Sequence, residues 1–356
     1  MAENRNAQQV REITDKLEQG LKELFESERF KEYLKTMSKF YNYSFNNTLL
    51  IAMQKPDATL IAGYTAWQRN FDRHVMKGEK GIKILAPAPY KVQEERKKLD
   101  PATQKPVLDK DGKPVTETVE VTRPAFKVVS VFDVSQTDGK ALPDIAVDEL
   151  TGSVENYAAF FDALKELSPV PIAFENITDG AKGYFSHVEN RIAIQEGMSE
   201  IQTIKTAIHE IAHAKLHAVT PGEKVAPEDK KDRRTKEVEA ESVAYTVCQR
   251  YGIETSDYSF GYIAGWSSDK ETKELKGSLE TIRKTAAEMI TGIDEKLKER
   301  LAVKEQEAPT PLRDVAIPVY REAAMYAFEA GELSAYRTSM QANMDCKEAI
   351  EQTIND

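Results

Sequence analysis

Residues 209–213 read His-Glu-Ile-Ala-His inside a stretch of helical character, and this H-e-x-x-h spacing constrains the chain more than any other feature. Residues four apart lie on one face of a helix, so His209 and His213 aim two imidazoles at one point. Glu210 sits about 100° round the helix from His209. Neutral imidazoles suit Zn²⁺, and a neighbouring carboxylate can take a proton from a water on the metal. The spacing is the signature of a zinc peptidase helix. The opposing reading is a surface helix that carries two histidines by accident. Against it, the chain has five histidines in all, and Ala207, Ile208, Ile211 and Ala212 make the helix apolar. Buried histidines beside a buried glutamate are costly without partners or a metal.

Such a site needs a third protein ligand. The position six beyond His213 is Val219, which rules out a third histidine at that spacing. The acidic helical segment 235–245 supplies alternatives. Glu237 and Glu241 share a face, and Glu239 points to another side. The preferred division puts Glu237 on the metal and Glu241 on the free nitrogen of His209 or His213, with the reverse assignment open. Glu210 is the expected general base. Tyr245, Tyr184 and His187 remain open as oxyanion stabilisers, and a purely structural metal is the competing use of the site. His217 reads as a polar helix end, His187 as a surface residue and His74 as a loop residue.

The chain of 356 residues is long enough for two domains or more. Cys248 and Cys346 are isolated thiols that fit a reducing compartment. No apolar run approaches a membrane span, and residues 1–6 lack an apolar signal core, so a cytoplasmic protein without a membrane partner is expected. The net charge of −10 argues against nucleic acid, but its distribution does not: residues 39–98 carry eleven basic and five acidic residues. Helices are expected over 8–40, 44–54, 154–167 and 273–300, and strands near 59–62, 83–87 and 125–133. Residues 94–120 read as a mobile hairpin arm or loop, 136–150 as a linker, 183–194 as a hairpin turning at Glu189-Asn190, and 219–236 as an exposed connection. The N-terminal half is rich in aromatics and amides, followed by cations. Tyr41, Tyr43, Phe45 and Trp67 suit base stacking, Asn46, Asn47 and Gln54 hydrogen bonding, and Arg69, Arg73, Lys77, Lys80 and Lys83 phosphate. Composition alone leaves an ordinary core as an equal alternative.

Three runs in this half, 43–54 (YSFNNTLLIAMQ), 63–67 (GYTAW) and 77–87 (KGEKGIKILAP), resemble the N-terminal single-stranded-DNA-binding domain of ArdC-type antirestriction proteins. His209, Glu210, His213 and Glu237 with Glu241 match the zincin-like metallopeptidase domain of that family, and 262–266 (YIAGW) resembles a segment near its end. The resemblance implies an α+β chain with a DNA-binding domain over 1–135 and a zincin-like domain over 151–300. It also implies single-stranded DNA as partner, zinc as cofactor, a protein substrate as a further option, and a role on conjugative elements in shielding incoming DNA. Residues 317–346 resemble a small helical module of mobile-element proteins, placed at 312–356. The charged arm at 94–120 and the acidic total depart from the family pattern.

Overall fold

The computed structural model describes residues 2–142, 154–218 and 231–307, apart from isolated loop positions. The helical module expected at 312–356 lies outside the described residues, as do most of the connection 219–236 and the linker 136–150.

The architecture is α+β. Helices α1 (Ala2–Leu24), α2 (Ser27–Lys39) and α3 (Phe45–Gln54) open the chain, followed by β1 (Ile61–Gly63), α4 (Tyr64–Phe71), β2 (Arg73–Val75) and β3 (Ile82–Pro87). The hairpin β4 (Tyr90–Lys97) and β5 (Thr116–Arg123) comes next, then β6 (Phe126–Asp133) and β7 (Thr137–Gly139). After these follow α5 (Val154–Leu167), β8 (Ile172–Glu175), β9 (Gly183–Ser186), β10 (Arg191–Gln195), α6 (Glu200–His217), α7 (Arg233–Arg250), α8 (Ile263–Ser267) and α9 (Thr272–Glu307).

One helix expected over 8–40 is two. The chain breaks at Glu26, whose extended backbone (φ −78°, ψ 135°) starts α2 afresh. The break lets Phe25 and Phe30 both enter the core, with ring centroids 5.8 Å from Trp266 and 5.3 Å from Phe260. Periodicity hides this break because the apolar stripe continues across it. The two sides of the arm expected at 94–120 pair as an antiparallel ribbon, β4 with β5, with Tyr90 opposite Arg123 and Lys97 opposite Thr116. Strand β6 lies between β1 and β3, antiparallel to both. The start of the expected linker is ordered: β7 pairs with β2, so His74 is a strand residue and not a loop residue.

Packing ignores the division near residues 135–151. A single apolar cluster joins Leu17, Leu34 and Phe45 to Ile208, Val243 and Ile290. The Arg250 guanidinium lies over the Tyr41 ring at 5.2 Å, and Arg283 donates to the Tyr43 carbonyl at 3.4 Å. A smaller cluster, including Phe40, Tyr43, Ile84 and Val131, fills the space between α3 and the first sheet.

That packing corrects the aromatic and amide assignments. Tyr41, Tyr43, Phe45 and Trp67 are at most 8% exposed, so no base can stack on them. The Trp67 indole N–H donates to the Phe132 carbonyl at 2.8 Å. Asn47 spans to β3, donating to the Leu85 carbonyl and accepting from its N–H, both at 2.9 Å. Gln54 does the same for Lys83, accepting from its N–H at 2.9 Å. Arg73 clamps β7, donating to the Thr137 and Lys140 carbonyls at 2.8 and 2.6 Å. Asn46, Arg69, Lys77, Lys80 and Lys83 stay exposed. Asn47→Ala strands a β3 amide and carbonyl, which costs about 1–3 kcal/mol each when buried. Urea unfolding should show at least about 1 kcal/mol of lost stability, and an unchanged midpoint would contradict the pairing.

Candidate metal centre

Helix α6 starts on Ser199, whose hydroxyl accepts from the Gln202 N–H at 3.3 Å. It then buries Ala207, Ile208, Ile211, Ala212 and Ala214. Helix α7 starts on Asp232, whose carboxylate accepts from the Thr235 N–H at 2.7 Å. Residues 233–236, expected in the exposed connection, are therefore its first turn. Val238, Ala240, Val243 and Ala244 are fully buried along α7, and the two helices pack together. That packing brings Glu237 of α7 to the imidazoles of α6.

His209 Nε2 and His213 Nε2 are 3.1 Å apart. Glu237 Oε2 lies 3.7 Å from the first and 3.5 Å from the second. Among the described residues these three form the one group of ligand atoms able to hold an ion. With metal–ligand bonds of about 2.0–2.1 Å, the edges of a tetrahedral site are about 3.3 Å long. The observed triangle has that size, whereas its carboxylate edges are long for hydrogen bonds. The donor set therefore fits a zinc-type ion. The two imidazoles hold the Glu237 carboxyl far below the usual carboxylate range. Burial opposes a charge on His209, but Glu237, Glu210 and Glu241 outweigh it and raise its pKa.

Glu210 is 7% exposed. Burial raises its pKa, against the pull of His209 and His213, and the Phe185 backbone N–H donates to it. Strand β9, which carries Phe185, is an edge strand of the sheet ordered β8-β10-β9. Gly183 permits its close approach to α6: a Cβ there would stand 2.6 Å from Thr206 Cγ2 and 2.9 Å from the Ala193 carbonyl oxygen. Two cavities meet at Gly183, His209 and Glu210. One extends past His187 to Lys236, and the other past Lys205 to Glu241 and Tyr258. Together they form a groove along the edge strand and over the three ligands.

Glu241 accepts a hydrogen bond from the Tyr262 hydroxyl and lines the groove beside His209. The Nδ1 of His213 is taken by another group, His217, at 3.0 Å. His217 is the last residue of α6, as expected, and it is buried: it is 4% exposed, and its Nε2 lies 3.1 Å from Glu239 Oε2. Sequence reasoning missed both residues. The signal was the i, i+4, i+8 run of histidines on one face, but its partner depends on how α6 and α7 cross. Of the oxyanion candidates, Tyr245 lies in the core against Tyr258 and Phe260, and burial pushes its hydroxyl up to about 12. Tyr184 donates to Glu175, while His187 stands on the groove rim, its pKa lowered by burial, Lys236 and His213.

Comparisons with known proteins match separate domains to the two parts of the chain. Residues 4–132 match the family described as the N-terminal domain of anti-restriction factor ArdC, and residues 168–251 match the IrrE N-terminal-like domain of the M78 peptidase class. Residues 319–356 match a family of unknown function, DUF3849. An uncharacterized protein of Bacillus anthracis is 28% identical over 95% of this chain and 60% of its own length. A DNA primase TraC of Escherichia coli is 34% identical over 39% of this chain and 12% of its own length. The chain thus spans less than two thirds of these curated relatives. Crystal structures of the antirestriction protein ArdC from plasmid R388, metal-free and Mn(II)-bound, are 20% and 21% identical. Both cover 73% of this chain, and 86% and 85% of their own, with a TM-score of 0.41. The chain thus carries an ArdC N-terminal domain followed by an IrrE N-terminal-like, zincin-like domain.

Proposed function

We propose that this chain is an antirestriction-type, single-stranded-DNA-binding protein with a zinc-dependent peptidase centre. The observation that carries the second half is the convergence of His209, His213 and Glu237 beside Glu210 in an open groove. A bound zinc ion supplies Lewis acidity toward a carbonyl and makes water a nucleophile at neutral pH. The chain's own residues do the rest. Glu210, held by the Phe185 amide, accepts the proton of the attacking water and returns it to the leaving amine. The edge strand β9 offers backbone groups to an extended peptide, which aligns a scissile bond along the groove. His187 stands on the rim as the oxyanion donor among the expected candidates.

DNA binding rests on the surface of the first sheet. Tyr64 is 59% exposed, and its ring lies 6.2 Å from that of Phe132. Gly81 brings its backbone against Phe132 and Ser130, and Lys83 Nζ donates to Ser130 Oγ at 2.6 Å. An aromatic face and a cation thus share one side of β3 and β6. Lys77 and Lys80, exposed on the turn before β3, extend its charge. Tyr64 takes the stacking role that burial denies to Tyr41, Tyr43 and Trp67.

Glu210→Gln should slow cleavage of a quenched peptide library by at least about 100-fold, since general acid–base groups contribute about 10²–10⁴. Its zinc content should match the unsubstituted protein. Cleavage at the unsubstituted rate, or no cleavage of any peptide by the unsubstituted protein, contradicts the peptidase reading.

Tyr64→Ala should weaken binding of a labelled single-stranded oligonucleotide by about 5–150-fold, since stacking is worth about 1–3 kcal/mol per base. Added salt should weaken binding of both forms, read by fluorescence anisotropy. No salt-sensitive affinity, or an unaffected Tyr64→Ala protein, contradicts the DNA-binding surface.

A further inference from the structure

Behind the ligand triangle runs a line of buried polar groups. His213 presents Nε2 to His209 and Glu237, and Nδ1 to His217 Nδ1 at 3.0 Å. His217 Nε2 meets Glu239 Oε2 at 3.1 Å. Lys231 Nζ donates to both oxygens of Glu239 at 2.7 Å, and the Ser278 hydroxyl of α9 adds a further bond. The side chains of His217 and Glu239 are 2% and 0% exposed, so bulk water does not substitute for these contacts.

Only one assignment of protons satisfies every contact once His213 gives its Nε2 lone pair to an ion. His213 then carries its proton on Nδ1 and donates it. His217 must accept on Nδ1, which leaves its own proton on Nε2. That N–H donates to Glu239, an acceptor held ionised by the Lys231 ammonium. Each group has one donor facing one acceptor. Reversing any single tautomer sets two protons or two lone pairs against each other. Ligand histidines ordinarily donate their second N–H directly to a carboxylate, carbonyl or water. Here an imidazole stands between ligand and carboxylate.

We propose that His217 and Glu239 are positioning residues for the metal centre, a two-step relay that fixes the tautomer and ring orientation of His213 from a carboxylate one imidazole further away. This inference rests on the metal reading of His209, His213 and Glu237. It separates the two neighbouring acids of α7 by role: Glu237 faces the ion, and Glu239 holds a ligand through His217. The relay also ties the centre to three helices, since α6 supplies the imidazoles, α7 the carboxylate and α9 the Ser278 hydroxyl.

The test uses the full chain with zinc as the probe. In zinc-loaded protein labelled with ¹⁵N-histidine, long-range ¹H–¹⁵N correlations should show His217 protonated on Nε2 alone and His213 on Nδ1 alone. His217 protonated on Nδ1 would overturn the relay, without any substitution. Zinc affinity, measured by competition with a chromophoric chelator, should fall by about 10–100-fold in Glu239→Gln and His217→Leu, the usual effect of losing such partners. His217→Asn, which keeps an acceptor oxygen near the Nδ1 position, should retain more affinity than His217→Leu. Metal-free melting curves identify any variant that fails to fold, and the tautomer measurement stands apart from them. Unsubstituted protein that binds zinc beside folded variants within threefold of it overturns the relay alone. Unsubstituted protein that binds no zinc overturns the metal reading and the relay with it.

Discussion

The contact between α6 and α7 is the constraint on which the rest of the molecule depends. A tetrahedral ion tolerates little error in the spacing of its ligands, and the proposed centre draws two ligands from one helix and the third from another. The pair on α6 is set by helical geometry alone, because four residues return nearly to the same face. The third is set by packing. Helices α6 and α7 pack along their length, each burying small residues such as Ala212 and Ala240. Glu237 then arrives 3.5–3.7 Å from both imidazole nitrogens. Close packing of such interiors leaves little room for either helix to slide.

The N-terminal helices take part in this constraint. Phe25 and Phe30 pack their rings against Trp266 and Phe260, and Arg250 at the end of α7 covers Tyr41. The ArdC-type half is therefore part of the support for α7. The same burial explains why so many aromatics that suit nucleic acid by composition are unavailable to it. Tyr41 and Phe45 are buried where the two halves meet, Tyr43 and Trp67 within the first half, whereas Tyr64 on α4 and Phe126 on β6 stay exposed.

What was legible in the sequence follows the range of the interactions. The two imidazoles and Glu210 were readable because one helix sets their relation. Glu237 was readable as one of two acids on a common face, but the choice between it and Glu241 needed the helix crossing. His217 and Glu239 were not, since their contact exists only across the packed pair. The hairpin at 183–194 was visible from its alternation and its turn, where Asn190 adopts φ 51°. Strand β8 was not, because its four residues follow two prolines and pair in parallel with β10. The fate of Asn47 and Gln54 was equally hidden. An amide that satisfies a strand backbone and one that meets a base look the same in a sequence.

The most direct test of the central claim is zinc K-edge X-ray absorption on the dialysed, zinc-loaded full chain. The expected result is one ion per chain with two imidazoles at about 2.0–2.1 Å, one carboxylate oxygen at about 2.0–2.2 Å and one further light atom. His213→Ala should lose that signal. A first shell with a sulfur or a third imidazole, or no retained ion in the unsubstituted protein, would contradict it.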